Sequence, residues 1–190
     1  MMQTLLNYLY RYLLFIRNNN IILKGKLKIK NKPLVHILDG SSLTIGENVT
    51  LSSKNSKYHV NMFAPVKIYI DKIGAKIKIG NNTRIHGSCL HAYESIEIGD
   101  NCLIAANCQI FDGSGHDVFL DDPSKRIFTN GIIKPIIIGN NCWIGTSAII
   151  LPGTTLGNNC IVAAGSIVNG EFKDNSLIGG NPAKLIKSIK

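Results

Sequence analysis

The chain has 190 residues, 45% of them hydrophobic, and a formal net charge of +9. That length suits one domain with a continuous core, and the basic balance favours acidic ligands such as nucleic acid, an anionic membrane or a phosphorylated cofactor. Nucleic acid is set aside first: there is no zinc-finger spacing and no recognition-helix motif, and the lysines fall in several regions.

Residues 3–17, QTLLNYLYRYLLFIR, are apolar and aromatic. A membrane span needs about 20 such residues, and Arg11 and Arg17 interrupt this run. No basic region precedes it and no small-residue cleavage site follows, so a secretory signal does not fit. We read residues 1–20 as a short helix that packs on the rest of the fold and caps its open end. The other reading lays the helix on the inner membrane surface, helped by Lys24, Lys26, Lys28, Lys30 and Lys32. Both readings expect a cytoplasmic protein, with peripheral membrane contact in the second.

Residues 21–38 alternate, lysines on one face and Leu23, Leu27 and Ile29 on the other. This is a half-buried strand pattern, expected to form a first, irregular coil. A six-residue beat follows. It is faint at Ile45 and Leu51, lost over residues 52–67, which predict a loop, and present at Ile73, Ile79 and Ile85. It returns in a new phase at Ile98, Ile104 and Ile110, then runs unbroken through Ile138, Ile144, Ile150, Leu156, Val162 and Val168. Helices place apolar residues three and four apart, and simple strands alternate. A fixed period of six belongs to a parallel β-helix whose stacked repeats share one core, so the fold class is an all-β solenoid.

The same beat explains two groups of tempting residues. Gly46, Gly74, Gly80, Gly99, Gly139, Gly145 and Gly157 each follow an aliphatic leader. They are expected at coil corners, whose backbone conformations glycine and asparagine tolerate best. Cys89, Cys102, Cys108, Cys142 and Cys160 each fall four residues after a leader, in a slot that Thr83, Ala148 and Ser166 fill elsewhere. The shared slot and the odd number point to buried, reduced thiols rather than disulfides or a reactive site.

The beat breaks between Ile110 and Ile138, whose separation exceeds an 18-residue coil by ten. The insertion carries His116, Asp112, Asp117, Asp121, Asp122, Lys125 and Arg126, and ends at Pro135. A long polar excursion from a regular scaffold is where function concentrates.

DGSGH in this excursion, IGNNCWIG after it and GNPAK near the end combine with the hexads over residues 79–187. On those motifs the chain resembles the hexapeptide-repeat acyltransferases, in the branch of galactoside and maltose acetyltransferases and polysaccharide O-acetyltransferases. The resemblance implies a left-handed parallel β-helix over residues 21–178 with a catalytic loop at 112–135, and a basic tail at 179–190. It also implies a homotrimer with active sites between subunits, acetyl-CoA as co-substrate and no metal.

The family's general base falls on His116. A sugar hydroxyl attacks a thioester poorly until its proton is removed, and an imidazole with a pKa of about 6.5 accepts a proton at neutral pH. A carboxylate or backbone carbonyl should hold the other ring nitrogen, with Asp112 the first candidate and Asp117 the second. The resemblance places the acetyl-CoA arm past the small residues Ala105, Thr146, Ala164 and Asn169. Trp143 is a further groove residue, and Lys184 and Lys187 match positions near the nucleotide phosphates. His86, with Ser88 beside it, stands where some relatives put an asparagine near the acceptor sugar. The implied activity is O-acetylation of a sugar hydroxyl of a surface polysaccharide or its precursor, the acceptor being a glycan or a nucleotide- or lipid-linked sugar. N-acetylation of an amino sugar is the near alternative. A zinc enzyme like the γ-class carbonic anhydrases, using His86, His91 and His116, and a non-catalytic trimeric scaffold are the others.

Overall fold

A computed structural model describes residues 19–56 and 58–189. Residues 1–18 of the N-terminal helix expected over residues 1–20 lie outside the described residues, and residues 19–20 form a turn. The chain winds through three parallel sheets in strict rotation, each strand hydrogen-bonded to the strand one coil earlier and one coil later. The first sheet has seven strands, from Ile21–Leu23 to Glu171–Phe172. The second has eight, starting at Leu27–Lys30, and the third has six, from Leu34–Ile37 to Ile167–Val168. This is the expected parallel β-helix.

The hexad leaders fill its centre. Ile45, Leu51, Ile79, Ile85, Ile98, Ile104, Ile110 and the run from Ile138 to Val168 are all at most 1% exposed. Stacking works because the period is six: each hexad turns one aliphatic leader inward from its strand, and every third strand returns to the same sheet. Leu103–Ile104, for example, pairs with Trp143–Ile144, which pairs with Ile161–Val162. The inner residue is aliphatic each time.

Three details differ from expectation. Residues 21–38 form a regular coil rather than an irregular one: Leu27–Lys30 pairs residue for residue with Val49–Ser52. Ile73 is not an inward leader. It stands 82% exposed before Gly74, whose φ of +82° turns the corner, and Ile70 and Ile77 take the inward places. The basic tail is not a free tail either, because Ala183–Ser188 folds back antiparallel on Ser176–Gly180 and becomes the last strand of the second sheet.

The corners divide labour between asparagine and glycine. Asn48, Asn82, Asn101, Asn141, Asn159 and Asn175 carry the left-handed backbone, with φ between 55° and 60°. Several bond one another through their amides, as in Asn159 Nδ2 donating to Asn175 Oδ1 at 2.9 Å. Gly80 has no such φ. A Cβ there would lie 2.4 Å from the Gly99 carbonyl carbon, so glycine is required by the close approach of the next coil.

Four of the five cysteines, Cys102, Cys108, Cys142 and Cys160, are buried at corners with sulfur facing a backbone carbonyl of the next coil. Cys89 is the exception. Ile85 aligns with Ile104 but Leu90 aligns with Ile110, so this coil is one residue shorter between its second and third sheets. Ser88 takes the corner slot and Cys89 sits half-buried at the start of a strand. All five thiols are free, and burial raises the Cys108 thiol to about 11.

Candidate active site

Two features break the regular surface. The first is the loop from Asp112 to Pro135, which leaves the third sheet after Gln109–Phe111 and rejoins the first at Ile136–Ile138. Its neck is a short antiparallel contact in which Gly113 bridges Ile133, Ser114 N–H donates to the Ile132 carbonyl and Lys134 N–H donates to that of Asp112. Asp112 is fully buried beneath this neck. Its carboxylate accepts the backbone N–H groups of Tyr93 at 2.6 Å and Glu94 at 2.8 Å.

His116 stands exposed in the loop, and its Nδ1 lies 3.0 Å from the Arg126 carbonyl oxygen. A carbonyl only accepts, so Nδ1 carries the hydrogen and Nε2 presents a lone pair. The carbonyl is itself fixed. It takes the hydroxyl of Thr129 at 2.7 Å and the Thr129 N–H at 3.1 Å, while Thr129 Oγ1 accepts the Asp117 N–H at 2.8 Å. The one 3-10 helix among the described residues, Pro123–Phe128, carries Arg126; Asp122 caps it by accepting from Ser124 N, and the Ser124 hydroxyl lowers the Asp122 pKa. Neither expected carboxylate therefore orients His116. Asp112 is spent at the neck, and Asp117 accepts its neighbour Val118's N–H.

The second feature is a cleft of about 590 Å³ along the second sheet and the corner beyond it. Ala105, Trp143, Thr146 and Ala164, expected at a donor site, all line this cleft, and so does His86. Thr146 donates to the Ala106 carbonyl at 2.8 Å, so its methyl and Ala164 make a small-residue wall. Trp143 is 52% exposed over the strand that pairs with Leu103–Ile104. Lys184 and Lys187 lie on the last strand of the same sheet, paired with Gly179 and Leu177. Asn169 is apart: it follows Ile167–Val168 of the third sheet and so turns the other corner, in line with the loop rather than the cleft.

His86 donates Nδ1–H to the Ile104 carbonyl at 3.4 Å and stacks on Tyr58, ring centroids 4.7 Å apart. Burial, aided by the charges of Lys30 and Arg84, lowers its pKa; the Ile104 bond opposes the shift. Ser88 does not face the cleft. Its hydroxyl lies 2.7 Å from the Ala105 carbonyl and accepts the Cys108 N–H at 2.9 Å, a corner role that leaves nothing for an acceptor.

Tyr58, His59 and Arg84 also line the cleft and were missed in the sequence. Tyr58 and His59 come from the loop between Val49–Ser52 and Lys67–Ile70, in which Met62 is buried. Gly87, at φ +44°, makes room for it, since a Cβ there would lie 2.1 Å from Met62 Cγ. The lost beat marked the loop, but its folding onto His86 is a long-range contact that no local pattern signals. His86 and His91 lie on different sheets, and His91 Nε2 instead meets Asp71 at 3.1 Å. The described residues hold no group of three His, Cys, Asp or Glu side chains able to bind a metal.

The pattern described as the hexapeptide repeat of succinyl-transferase matches residues 76–111 and 135–169, the coils on either side of the loop. The chain carries this hexapeptide repeat on both sides of the loop, and the relatives that it resembles are named as acetyltransferases. It is 37% identical over 120 residues to the galactoside O-acetyltransferase of Escherichia coli, covering 61% of this chain and 56% of that one. Its likeness to the putative lipopolysaccharide biosynthesis O-acetyl transferase WbbJ of the same organism is 28% over 184 residues, 91% of this chain and 87% of the other. Among solved structures, a hexapeptide-repeat acetyltransferase of Vibrio cholerae complexed with acetyl coenzyme A superposes with a TM-score of 0.57 at 32% identity, over 65% of each chain. The chain spans just over half the length of the curated relatives that it matches in mycobacteria, yeast and, for the galactoside enzyme, Escherichia coli.

Proposed function

We propose that the protein is an acetyl-CoA-dependent O-acetyltransferase acting on a sugar hydroxyl of a surface polysaccharide or its precursor. The observation that carries the reading is His116, held by Nδ1 on a fixed carbonyl with Nε2 open to solvent. In the transfer, Nε2 takes the proton of the sugar hydroxyl as its oxygen bonds to the thioester carbonyl carbon. The tetrahedral adduct then expels the CoA sulfur, which receives that proton from the imidazolium. Positioned acid–base help of this kind contributes about 10²–10⁴-fold.

The cleft supports the donor assignment. Ala105, Gly145, Ala163 and Ala164 present little side-chain bulk along it, which suits a slender thioester arm. Lys184 and Lys187 extend the same sheet with positive charge suited to the donor's phosphates. The relatives named for galactoside and lipopolysaccharide O-acetylation support a sugar acceptor.

The loop and the cleft stand at different corners of one chain: the loop joins the third sheet to the first, and the cleft follows the second. A homotrimer, in which the loop of one subunit meets the cleft of the next, completes the site. The exposed apolar side chains of Val118, Leu120, Ile127 and Phe128 on the loop support that contact. The test is thiol release from acetyl-CoA with a panel of mono-, oligo-, nucleotide-linked and lipid-linked sugars, with mass spectrometry of the products and the assembly sized by light scattering. Acceptor-dependent release with an ester-linked acetyl group on a trimer is expected. Acetyl found only as an amide on amino sugars, or no acceptor-dependent release, overturns the reading.

A further inference from the structure

The lysines that look spread along the sequence are gathered at one end of the solenoid. Residues 20–90 hold twelve Lys and Arg against three acids, whereas residues 91–190 hold seven against nine. In the fold the described members of the first group belong to the first three coils and the loop between Val49–Ser52 and Lys67–Ile70. Lys24, Lys26, Lys28 and Lys30 are exposed on the first coil, whose strands end all three sheets. Lys67 and Lys76 stand exposed on the third and first sheets above it. One acid there is already engaged: Asp71 meets His91. The apolar, aromatic residues 3–17 directly precede this basic end in the sequence.

We propose that this end docks peripherally on an anionic phospholipid surface, the lysines meeting the headgroups. Stable attachment to a bilayer takes two signals, an apolar element and a polybasic patch, and both occur here within the first thirty residues. The charge lies on all three sheets across the first three coils, which fits a broad polyanion better than a single strand lying along one face. Lysines on the exposed edge strand also deter edge-to-edge pairing. That role explains Lys28 and Lys30 but not Lys67 and Lys76, which stand on paired interior strands. Among the described residues no helix is long and apolar enough to cross a membrane. With coils about 4.8 Å apart, the loop of His116 leaves the fourth coil at about 14 Å from the first, within reach of an acceptor tethered to the same surface. That consequence rests on the transferase reading; the docking does not.

The test is co-sedimentation of the full chain with vesicles, without acetyl-CoA or acceptor. Phosphatidylcholine with a quarter phosphatidylglycerol is compared with pure phosphatidylcholine, at low and at 0.5 M salt, where screening shortens the reach of charges to a few ångströms. Binding to the anionic vesicles that weakens with salt is expected. Lys26→Glu/Lys28→Glu/Lys30→Glu, which keeps the edge strand charged, should lower it by about 100-fold or more. The equal charge change Lys125→Glu/Lys134→Glu/Lys173→Glu in the later part of the chain should lower it far less. A Gln version of the first triple, melting like the parent, guards against misfolding. No binding to anionic vesicles, equal loss in both triples, or vesicle-independent capture of soluble polygalacturonate by the same lysines would overturn the proposal.

Discussion

The coils from Ile136 to Val168 and the loop from Asp112 to Pro135 are neighbours in the chain built on opposite rules. In the coils every hexad leader is at most 1% exposed, and each corner is bonded to the next one along the axis. In the loop most residues are exposed, Val118, Leu120, Ile127 and Phe128 among them, and order comes from a few polar contacts converging on one carbonyl. The coils complete themselves; the loop holds a histidine in one orientation and leaves its own apolar surface uncovered. Rigidity is supplied by repetition, and the chemistry proposed here is placed where repetition stops.

The largest stability effect should come from the coils. Ile144→Ala removes a fully buried leader from the stack and should cost about 2–5 kcal/mol in urea unfolding. If the cost is well under 1 kcal/mol, the coils are not the packed scaffold described. The next effect tests where the two regions join. Asp112→Ala leaves the buried N–H groups of Tyr93 and Glu94 without their acceptor, a loss of about 1–3 kcal/mol. It should loosen the loop's neck, so that hydrogen exchange rises at Ser114 and Lys134 but not in the coils after Ile136. Uniform change along the chain would contradict the separation of the two regions.

The smallest effect concerns the cleft. Burial lowers the His86 pKa, so the folded state resists protonation more than the unfolded chain does. The contribution of His86 is therefore complete above about pH 6.5 and is lost as pH falls below it. Thermal melts at pH 7.5 and 5 should show a drop that shrinks in His86→Gln. An unchanged drop would mean that His86 is not the buried, Tyr58-stacked group seen here.

The fold was largely legible over residues 98–110 and 138–168, because within each run the leaders keep one period and that period determines the sheets. It was less legible earlier. The shortened coil at Gly87 moved Ser88 into the slot expected for Cys89, and the exposed Ile73 mimics a leader because the corner before Lys76–Ile79 needs a residue before Gly74. In the site, His116 and the small cleft residues could be placed by motif and spacing. The Arg126 carbonyl could not, since backbone groups leave no trace in residue type. Tyr58 and His59 were hidden for another reason: their contact with His86 depends on how an irregular loop folds back.

The proposed transfer turns on His116, and the most direct measurement is the turnover number for acceptor-dependent CoA release in His116→Ala beside the parent protein. Nε2 acting as base predicts a fall of about 10²–10⁴-fold in kcat, with the thermal midpoint unchanged because the side chain is exposed. Undiminished turnover in that variant would contradict it.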